Sequence, residues 1–328
     1  MNTTMSNILE INNLAVSFPS DDAGKRAAAV SGVDLAIPAG KTVGLVGESG
    51  CGKSVTALSV MGLLPDNARV ESGRAIFGSR DLFTLSDREM RKIRGNDISM
   101  IFQDPMTSLN PVLTVGRQVS EAFRLHTGAG ADEAKKQAIE IMTRVGIPEP
   151  ERRYSSYPHQ LSGGLRQRVM IGMAMVLKPE LLIADEPTTA LDVSIEAQIL
   201  RLMRDLQRES GMSILMISHN LGVVAEICDE VYVMYAGEVV EQADVFTLFR
   251  DYAHPYTRGL MASLPQMTSK GQRLYSIRGT VPPPYAMPAG CRFCPRCEYA
   301  QERCRAEKPP LRELGGNHLC RCFFAGQP

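Results

Sequence analysis

Residues 47–54 read GESGCGKS and follow the apolar run TVGLV at residues 42–46. A short apolar run with β-branched residues is typical of a buried strand, so a strand is predicted here. The octapeptide matches the pattern G-x-x-x-x-G-K-[ST], whose glycines let successive backbone N–H groups point at phosphate oxygens. A helix predicted to begin near Lys53 adds its positive end. The stretch therefore predicts a strand, a phosphate-binding loop and a helix, which together begin a P-loop α/β fold.

This loop supplies the first candidate nucleotide-binding residues. Lys53 is expected to reach the β- and γ-phosphates and Ser54 to hold Mg²⁺. Cys51 is interpreted as a small space-filling residue rather than a nucleophile. The alternative is a glycine-rich turn that binds nothing. The candidates are Gly47, Glu48, Ser49, Gly50, Cys51, Gly52, Lys53, Ser54 and Val55.

A second apolar run, LLIADEP at residues 181–187, ends in two acids. Open parallel sheets bind their ligands at the carboxyl ends of strands, which is where these acids are predicted to lie. Asp185 is a candidate Mg²⁺ ligand, and Glu186 is a candidate catalytic residue that orients or deprotonates the attacking water. The alternative is a solvated Asp-Glu turn.

Composition and charge exclude several other classes of protein. Lys plus Arg and Asp plus Glu both number 36, so no net charge draws the chain toward nucleic acid or an anionic membrane. The N-terminal MNTTMSNILEINN lacks the basic and apolar regions of a signal peptide. The longest apolar run, VMIGMAMVL at residues 169–177, is too short to span a bilayer. We therefore expect a cytoplasmic protein.

The stretch LSGGLRQR at residues 161–168 resembles the signature of the ABC ATPase family, with Leu165 as a departure that we expect to be harmless. The resemblance implies that Ser162, Gly163 and Gly164 begin a helix and cap the γ-phosphate of an ATP held by the opposite subunit. Two such domains would then enclose two ATP molecules between them, and a monomer should hydrolyse ATP poorly.

Further stretches match other motifs of this family in the family's order. Gln103, in MIFQDP, matches the Q-loop, which implies a catalytic role and a contact with ATP and Mg²⁺. ALDVS at residues 190–194 matches the D-loop, and His219, in MISHN, matches the histidine that contacts the γ-phosphate. Phe18 occupies the place of the aromatic residue that stacks on adenine, although a half-buried strand aromatic is an equally simple interpretation.

Taken together, these patterns predict an α/β protein with two parts. Residues 1–250 are interpreted as an ABC nucleotide-binding domain with a parallel-sheet core and an antiparallel β flank. Apolar residues at helical spacing place a helical subdomain at about residues 104–175 within it. Residues 251–328 are interpreted as a small cysteine-rich extension that follows the proline-rich connector VPPPYAMPAG.

Several stretches, most of them in the C-terminal extension, indicate a particular subfamily of the ABC ATPases. AHPYTRGLMASLP at residues 253–265 and IRGTVPPP at 277–284 resemble the dipeptide and oligopeptide importer ATPases, as does ISMIFQDPMTSLNP at 98–111. The resemblance implies an ATPase at the cytoplasmic face of the plasma membrane that drives peptide import. Its partners would be two transmembrane permeases, a homologous ATPase in a homo- or heterodimer, and, indirectly, a solute-binding protein. The sequence does not identify the transported solute.

Six of the eight cysteines lie between residues 291 and 322. Disulfides rarely persist in the cytoplasm, so a metal site is the favoured interpretation. Two ligand sets compete. The local C-x2-C-x2-C spacing selects Cys291, Cys294, Cys297 and Cys304. The subfamily resemblance instead implies Cys291, Cys297, Cys304 and Cys322 as ligands of a [4Fe–4S] cluster, with Cys294 and Cys320 as extras.

Four thiolates suit tetrahedral zinc as well as an iron–sulfur cluster, and reduced thiols without a metal are the remaining alternative. The main rival function is a soluble ABC ATPase that acts on nucleic acid or ribosomes through a zinc-binding tail. That function predicts a strongly basic tail, whereas residues 291–328 contain only seven Lys or Arg against four Glu.

Overall fold

The computed structural model describes residues 6–20, 24–189, 191–264 and 275–326. The strands within these residues are β1 Asn7–Pro19, β2 Arg26–Pro38, β3 Thr42–Val46, β4 Arg69–Phe77, β5 Arg80–Asp81, β6 Ile98–Ile101, β7 Leu181–Asp185, β8 Ser213–Ser218, β9 Glu230–Tyr235, β10 Glu238–Asp244, β11 Arg312–Gly315 and β12 His318–Cys320. The helices are α1 Lys53–Met61, α2 Asp87–Ile93, α3 Pro105–Ser108, α4 Val115–Thr127, α5 Ala131–Arg144, α6 Pro150–Arg153, α7 Gly163–Met175, α8 Val193–Ser210, α9 Leu221–Ile227, α10 Val245–Asp251, α11 Pro255–Ala262 and α12 Glu302–Ala306.

The chain forms two units, and each is described separately. The helical unit consists mainly of residues 85–215. The phosphate-loop unit consists of residues 9–37, 42–84 and 216 onward. The phosphate-loop unit therefore includes the C-terminal extension as well as the glycine-rich loop.

The phosphate-loop unit contains two sheets. In one, the strand order is β2-β1-β4-β5, and β4 is antiparallel to both β1 and β5. In the other, five strands follow the order β11-β12-β10-β9-β3. Strand β3 is parallel to β9, whereas β9, β10, β12 and β11 are antiparallel to one another in turn, so this sheet is mixed.

Strands β9 and β10 form a hairpin, within which residues 231–242 read VYVMYAGEVVEQ. The turn consists of Ala236 and Gly237, with φ angles of 48° and 84°. Two successive left-handed residues give a turn whose twist matches that of the flanking strands. Tyr235 consequently pairs with Glu238 directly beside the turn.

The helical unit surrounds a short parallel pair, β6 and β7, in register from Ile98 opposite Leu181 to Ile101 opposite Ala184. Helices α3 to α7 lie between Pro105 and Met175, where the apolar spacing predicts helices. Helices α4, α5 and α7 pack on one another through buried apolar side chains, which include Val115, Val119, Ala134, Ala138, Ile141, Met142, Val169 and Ile171.

The extension is joined to the rest of the phosphate-loop unit by a hairpin that no sequence pattern predicts. Strands β11 and β12 pair with each other, and β12 continues the sheet by pairing with β10, with Glu241 opposite Cys320. Periodicity gives no signal for such short strands, because three or four residues are too few to show alternation. Within the described residues, no helix is both long and apolar enough to cross a membrane.

The buried carboxylate of Glu241 stabilises the junction between the extension and the sheet. Glu241 is 0% exposed, and its two oxygens accept hydrogen bonds from the backbone N–H groups of Ala253 and His254, at 2.6 and 3.0 Å. His318 Nε2, in β12, donates to the same carboxylate at 2.8 Å. Burial also lowers the pKa of His254 to about 4, so its ring is neutral and its Nδ1 caps α11 by accepting from the Tyr256 N–H.

We expect Glu241→Ala to lower the free energy of unfolding by about 3 kcal/mol, because it leaves three buried donors without an acceptor. Urea denaturation of the purified chain measures the change. Glu313→Ala is the control, since Glu313 lies on the exposed strand β11 and should change stability by no more than about 0.5 kcal/mol. Equal stability of the two variants would contradict this account of the junction.

Candidate functional site

The phosphate loop has the strand-to-helix context that the sequence predicts. All five residues of β3 are buried, and α1 begins at Lys53. Gly47 is the first residue after β3 and lies directly beside β9. A Cβ added to Gly47 would lie 2.1 Å from the carbonyl oxygen of Met234. Gly52 precedes α1 with a φ of 105°, and its Cβ would lie 2.9 Å from the carbonyl oxygen of Ala29. Glycine is therefore required at both positions on steric grounds.

Lys53 is held across the loop. Its side chain is 5% exposed, and its ammonium donates to the carbonyl oxygens of Gly47 at 2.7 Å and Glu48 at 3.1 Å. Ser49 and Gly50 are exposed, and Ser54 and Val55 are half-buried in the first turn of α1. This geometry places a positive charge and the start of a helix together at the loop, as anion binding requires.

Cys51 lies inside the loop and is fully buried. Burial raises the pKa of its thiol, and its backbone oxygen accepts a hydrogen bond from the Gly237 N–H at 2.9 Å. A buried, neutral thiol fits the interpretation of Cys51 as a space-filling residue.

The acid pair lies at the end of β7 in the helical unit. Asp185 is buried, and Glu186 follows it with a left-handed φ of 48°. The Glu186 carboxylate accepts hydrogen bonds from Gln103 Nε2 at 2.9 Å and from Thr189 Oγ1 at 3.0 Å. The structure thus brings together two residues that separate sequence motifs indicate, and it adds Thr189, which no motif indicates.

The other motif residues of the helical unit lie at helix starts. Ser162 caps α7, and its Oγ accepts from the Leu165 N–H at 3.4 Å, while Gly163 and Gly164 form the first turn. Ser162 and Gly163 are exposed. Asp192 caps α8, and the Ser194 hydroxyl bonded to it lowers the pKa of its carboxyl. Ala190, the first residue of the predicted D-loop, lies outside the described residues.

The phosphate-loop unit also holds two of the remaining candidates. His219 is exposed directly after β8, and the next residue, Asn220, caps α9. Phe18 is half-buried near the end of β1. Neither position distinguishes a ligand contact from a structural role, so both assignments stay predictions.

Five of the six C-terminal cysteines line one cavity of about 180 Å³ in the phosphate-loop unit. Cys320 is the exception and is buried in β12. The backbone N–H of Cys291 donates to the carbonyl oxygen of Cys304 at 2.8 Å. The cavity cysteines are Cys291, Cys294, Cys297, Cys304 and Cys322.

Burial raises the pKa of Cys291 to about 12 and that of Cys297 to about 11. In the part of the chain that the structure describes, no three His, Cys, Asp or Glu side chains are arranged closely enough to hold a metal ion. The cavity contains members of both predicted ligand sets.

Two further residues contact the phosphate loop and were missed from the sequence. The backbone N–H of Glu48 donates to the Tyr256 hydroxyl at 2.8 Å, and the Glu48 carboxylate forms an ion pair with Arg296 at 2.6 Å. Both partners belong to the C-terminal extension. Tyr256 lies within AHPYTRG and Arg296 lies between Cys294 and Cys297, but neither stretch by itself indicates a contact with the loop.

A glycine-rich loop between a buried strand and a helix, an acid pair after a parallel strand and a serine-capped Gly-Gly helix start define the class of ABC-type ATPases. The family model for "ABC transporter" matches residues 30–189. The model for "Oligopeptide/dipeptide transporter, C-terminal region" matches residues 240–304.

Known proteins agree with this class. A Brucella melitensis protein named for peptide import and ATP binding is 50% identical, over 96% of both chains. The dipeptide transport ATP-binding protein DppD of Escherichia coli K12 is 46% identical, over 98% of this chain and 99% of its own. A structure of the ATP-binding cassette MJ0796, described as dimeric and bound to ADP and Pi, is 28% identical with a TM-score of 0.65, covering 72% of this chain and 98% of that one.

The chain therefore belongs to the ABC transporter ATP-binding proteins, in the oligopeptide/dipeptide transporter family. The family resemblance inferred from the motifs is confirmed, and so are the ABC ATPase fold with its mixed sheet and the expected ATPase activity.

We expect Gly47→Ala to lower the free energy of unfolding by about 3 kcal/mol, because its Cβ would overlap a backbone oxygen of β9 that cannot move away. Gly50→Ala is the matched control. Its φ of 78° costs about 1 kcal/mol for alanine, but nothing lies within 4 Å of the added atom. Urea denaturation measures both, and an equal loss would show that the loop does not lie against Met234.

Proposed function

We propose that this chain is the ATP-hydrolysing subunit that energises import of peptides, or a related solute, through separate transmembrane permease subunits. The match of residues 240–304 to the oligopeptide/dipeptide transporter C-terminal region carries the proposal. The names of the Brucella and E. coli relatives, which refer to peptide import and dipeptide transport, support it. The rival role on nucleic acid or ribosomes has no such support.

In this proposal the phosphate loop binds the ATP phosphates. The backbone N–H groups of residues 47–54 and the ammonium of Lys53 are the anion-binding groups. Lys53 donates to two loop carbonyl oxygens in the structure, and it would exchange these for the β- and γ-phosphates. Phe18 is proposed to stack on the adenine ring.

Ser54, Asp185 and Gln103 are the proposed Mg²⁺ ligands. Their hydroxyl, carboxylate and amide oxygens are the hard donors that Mg²⁺ prefers. Gln103 uses its amide nitrogen to bond Glu186, so its oxygen is the end suited to a cation. Bound there, Mg²⁺ would neutralise charge on the phosphates.

Glu186 is the proposed catalytic residue that orients and activates water. Hydrogen bonds from Gln103 and Thr189 to its Oε2 fix the carboxylate. Its left-handed backbone is uncommon for a residue with a side chain, and such conformations cluster at active sites. His219 is proposed to contact the γ-phosphate, as the motif resemblance implies.

A second ATPase subunit completes the proposed site. Ser162, Gly163 and Gly164 present an exposed helix start, which can bind the γ-phosphate of an ATP on the partner. The dimeric MJ0796 cassette supports a paired arrangement. We propose that ATP binding closes the pair and hydrolysis reopens it, at the cytoplasmic face of the membrane beside the permeases.

Glu186→Gln tests the catalytic assignment. We expect ATP hydrolysis, measured as phosphate release, to fall at least about 100-fold because the amide cannot accept the proton of water. ATP binding should persist, ATP-bound dimer should accumulate in size-exclusion chromatography, and cells carrying the variant should stop taking up a radiolabelled dipeptide mixture.

Glu180→Gln is the control for this substitution. It neutralises an exposed acid just before the same strand, and it should leave hydrolysis and uptake unchanged. Near-parental hydrolysis by Glu186→Gln would remove Glu186 from the mechanism. Normal peptide uptake alongside lost hydrolysis would contradict the import function.

We also propose that the extension holds a [4Fe–4S] cluster on Cys291, Cys297, Cys304 and Cys322. All four line the same cavity, and thiolates are the usual ligands of such clusters. Zinc is the alternative metal. Cys294 lines the cavity as well, whereas Cys320 does not. The two ligand sets share three cysteines and differ only in whether Cys294 or Cys322 is the fourth ligand.

Iron and sulfide analysis of anaerobically purified chain is expected to give about four of each per chain. Cys322→Ala should lose the iron, whereas the control Cys294→Ala should keep it. Stoichiometric zinc without iron would reject the cluster. Loss of iron from Cys294→Ala, with retention by Cys322→Ala, would select the local ligand set instead.

A further inference from the structure

Arg296 connects the cysteine-rich segment to the phosphate loop. It lies between Cys294 and Cys297, and its guanidinium meets the Glu48 carboxylate with two parallel hydrogen bonds of 2.6 and 3.0 Å. The Arg296 side chain is 5% exposed and that of Glu48 is 30% exposed. Bidentate pairs of this kind are among the stronger and more directional contacts in proteins.

Contacts other than the pair with Glu48 also hold the guanidinium in place. Arg296 Nε donates to the carbonyl oxygen of Arg278 at 2.9 Å. The guanidinium also lies 5.7 Å from the ring centre of Tyr235, which packs against Tyr256 and Phe293. Little side-chain freedom remains to be lost when the pair with Glu48 forms.

Glu48 is held through its backbone as well as through its side chain. Its N–H donates to the Tyr256 hydroxyl, and its carbonyl oxygen accepts from Lys53. Glu48 is therefore fixed by two residues of the extension, Tyr256 and Arg296. Its position determines the path of the loop between β3 and α1.

The charge of Glu48 gives this pair a further consequence. A loop that binds phosphates has to attract negative charge, and Glu48 places a carboxylate within that loop. An unpaired carboxylate would repel the polyphosphate, whereas the Arg296 guanidinium neutralises it.

We propose that Arg296 is a positioning residue for nucleotide binding: it neutralises Glu48 and fixes the phosphate loop, so that the C-terminal extension sets the affinity for ATP. This inference rests on the proposed function, because it assumes that the loop binds ATP phosphates. It assigns the extension a role in the ATPase site in addition to any role of its cysteines.

Arg296→Gln in the whole chain is expected to weaken ATP binding about tenfold, and ADP binding by less, because ATP carries more negative charge. Isothermal titration calorimetry with each nucleotide measures both affinities. Arg303→Gln is the matched control. It breaks another Arg–Glu pair of the extension, the exposed Arg303–Glu307 pair at 3.0 Å, and should bind ATP as the parent chain does.

The Glu48→Gln background separates neutralisation from simple bracing. With no carboxylate to neutralise, adding Arg296→Gln should change ATP affinity no more than about twofold. A residue that only braces the extension would lose its contacts with Arg278 and Tyr235 in either background. Equal losses in the two backgrounds would therefore overturn the proposal, as would parental affinity of Arg296→Gln.

Arg296→Lys keeps the comparison decisive if Arg296→Gln does not fold, as judged by circular dichroism. Lysine retains the charge without the planar fork, so we expect about threefold weaker ATP binding when Glu48 is present. In the Glu48→Gln background, the same lysine substitution should leave the affinity unchanged. A parent chain that binds no ATP would reject the proposed function itself. A parent chain that binds ATP, with variants that bind equally well, would reject only the role of Arg296.

Discussion

The close approach of Gly47 to β9 is the constraint on which the phosphate loop depends. Strands β3 and β9 are parallel neighbours, and the chain leaves β3 so near the Met234 carbonyl oxygen that no side chain fits. This approach determines where the loop turns and therefore where α1 begins. The Gly237 N–H, from the turn after β9, bonds the oxygen of Cys51 and supports the loop from the same side.

The C-terminal extension is built into the phosphate-loop unit through polar groups that are almost completely buried. Glu241 accepts hydrogen bonds from the two residues that precede α11 and from His318 in β12, and Arg292 pairs with the nearly inaccessible Glu238 at 2.9 Å. Charged groups are rarely buried unless they are paired, because their desolvation is costly. These buried contacts therefore favour one arrangement of the extension. That arrangement in turn positions the cysteine cavity and Arg296.

Much of the candidate site could be predicted because its motifs are local. A few consecutive residues fix the path of the glycine-rich loop, and the apolar runs before Asp185 and His219 indicate strands that end at candidate site residues. The helices of residues 105–175 were also predictable, since periodic apolar residues bury one face of each. The contact of Gln103 with Glu186 joins two such motifs: the position of Glu186 after a predicted strand indicated one residue, and resemblance to a known family indicated the other.

The sequence by itself determined the class of fold, the order of the nucleotide motifs and the membership of the oligopeptide/dipeptide transporter family, because short stretches with their own local chemistry indicate each of them. Only the tertiary structure decided which cysteines share a cavity, that Thr189 bonds Glu186, and that Arg296 reaches Glu48 across 248 residues. The pairing of residues so distant in the chain follows from the fold of the phosphate-loop unit, in which β12 joins the sheet beside β10 and Tyr256 of α11 packs against Tyr235 of β9. No periodicity or spacing in the sequence encodes that packing, since it depends on the shape of the assembled core.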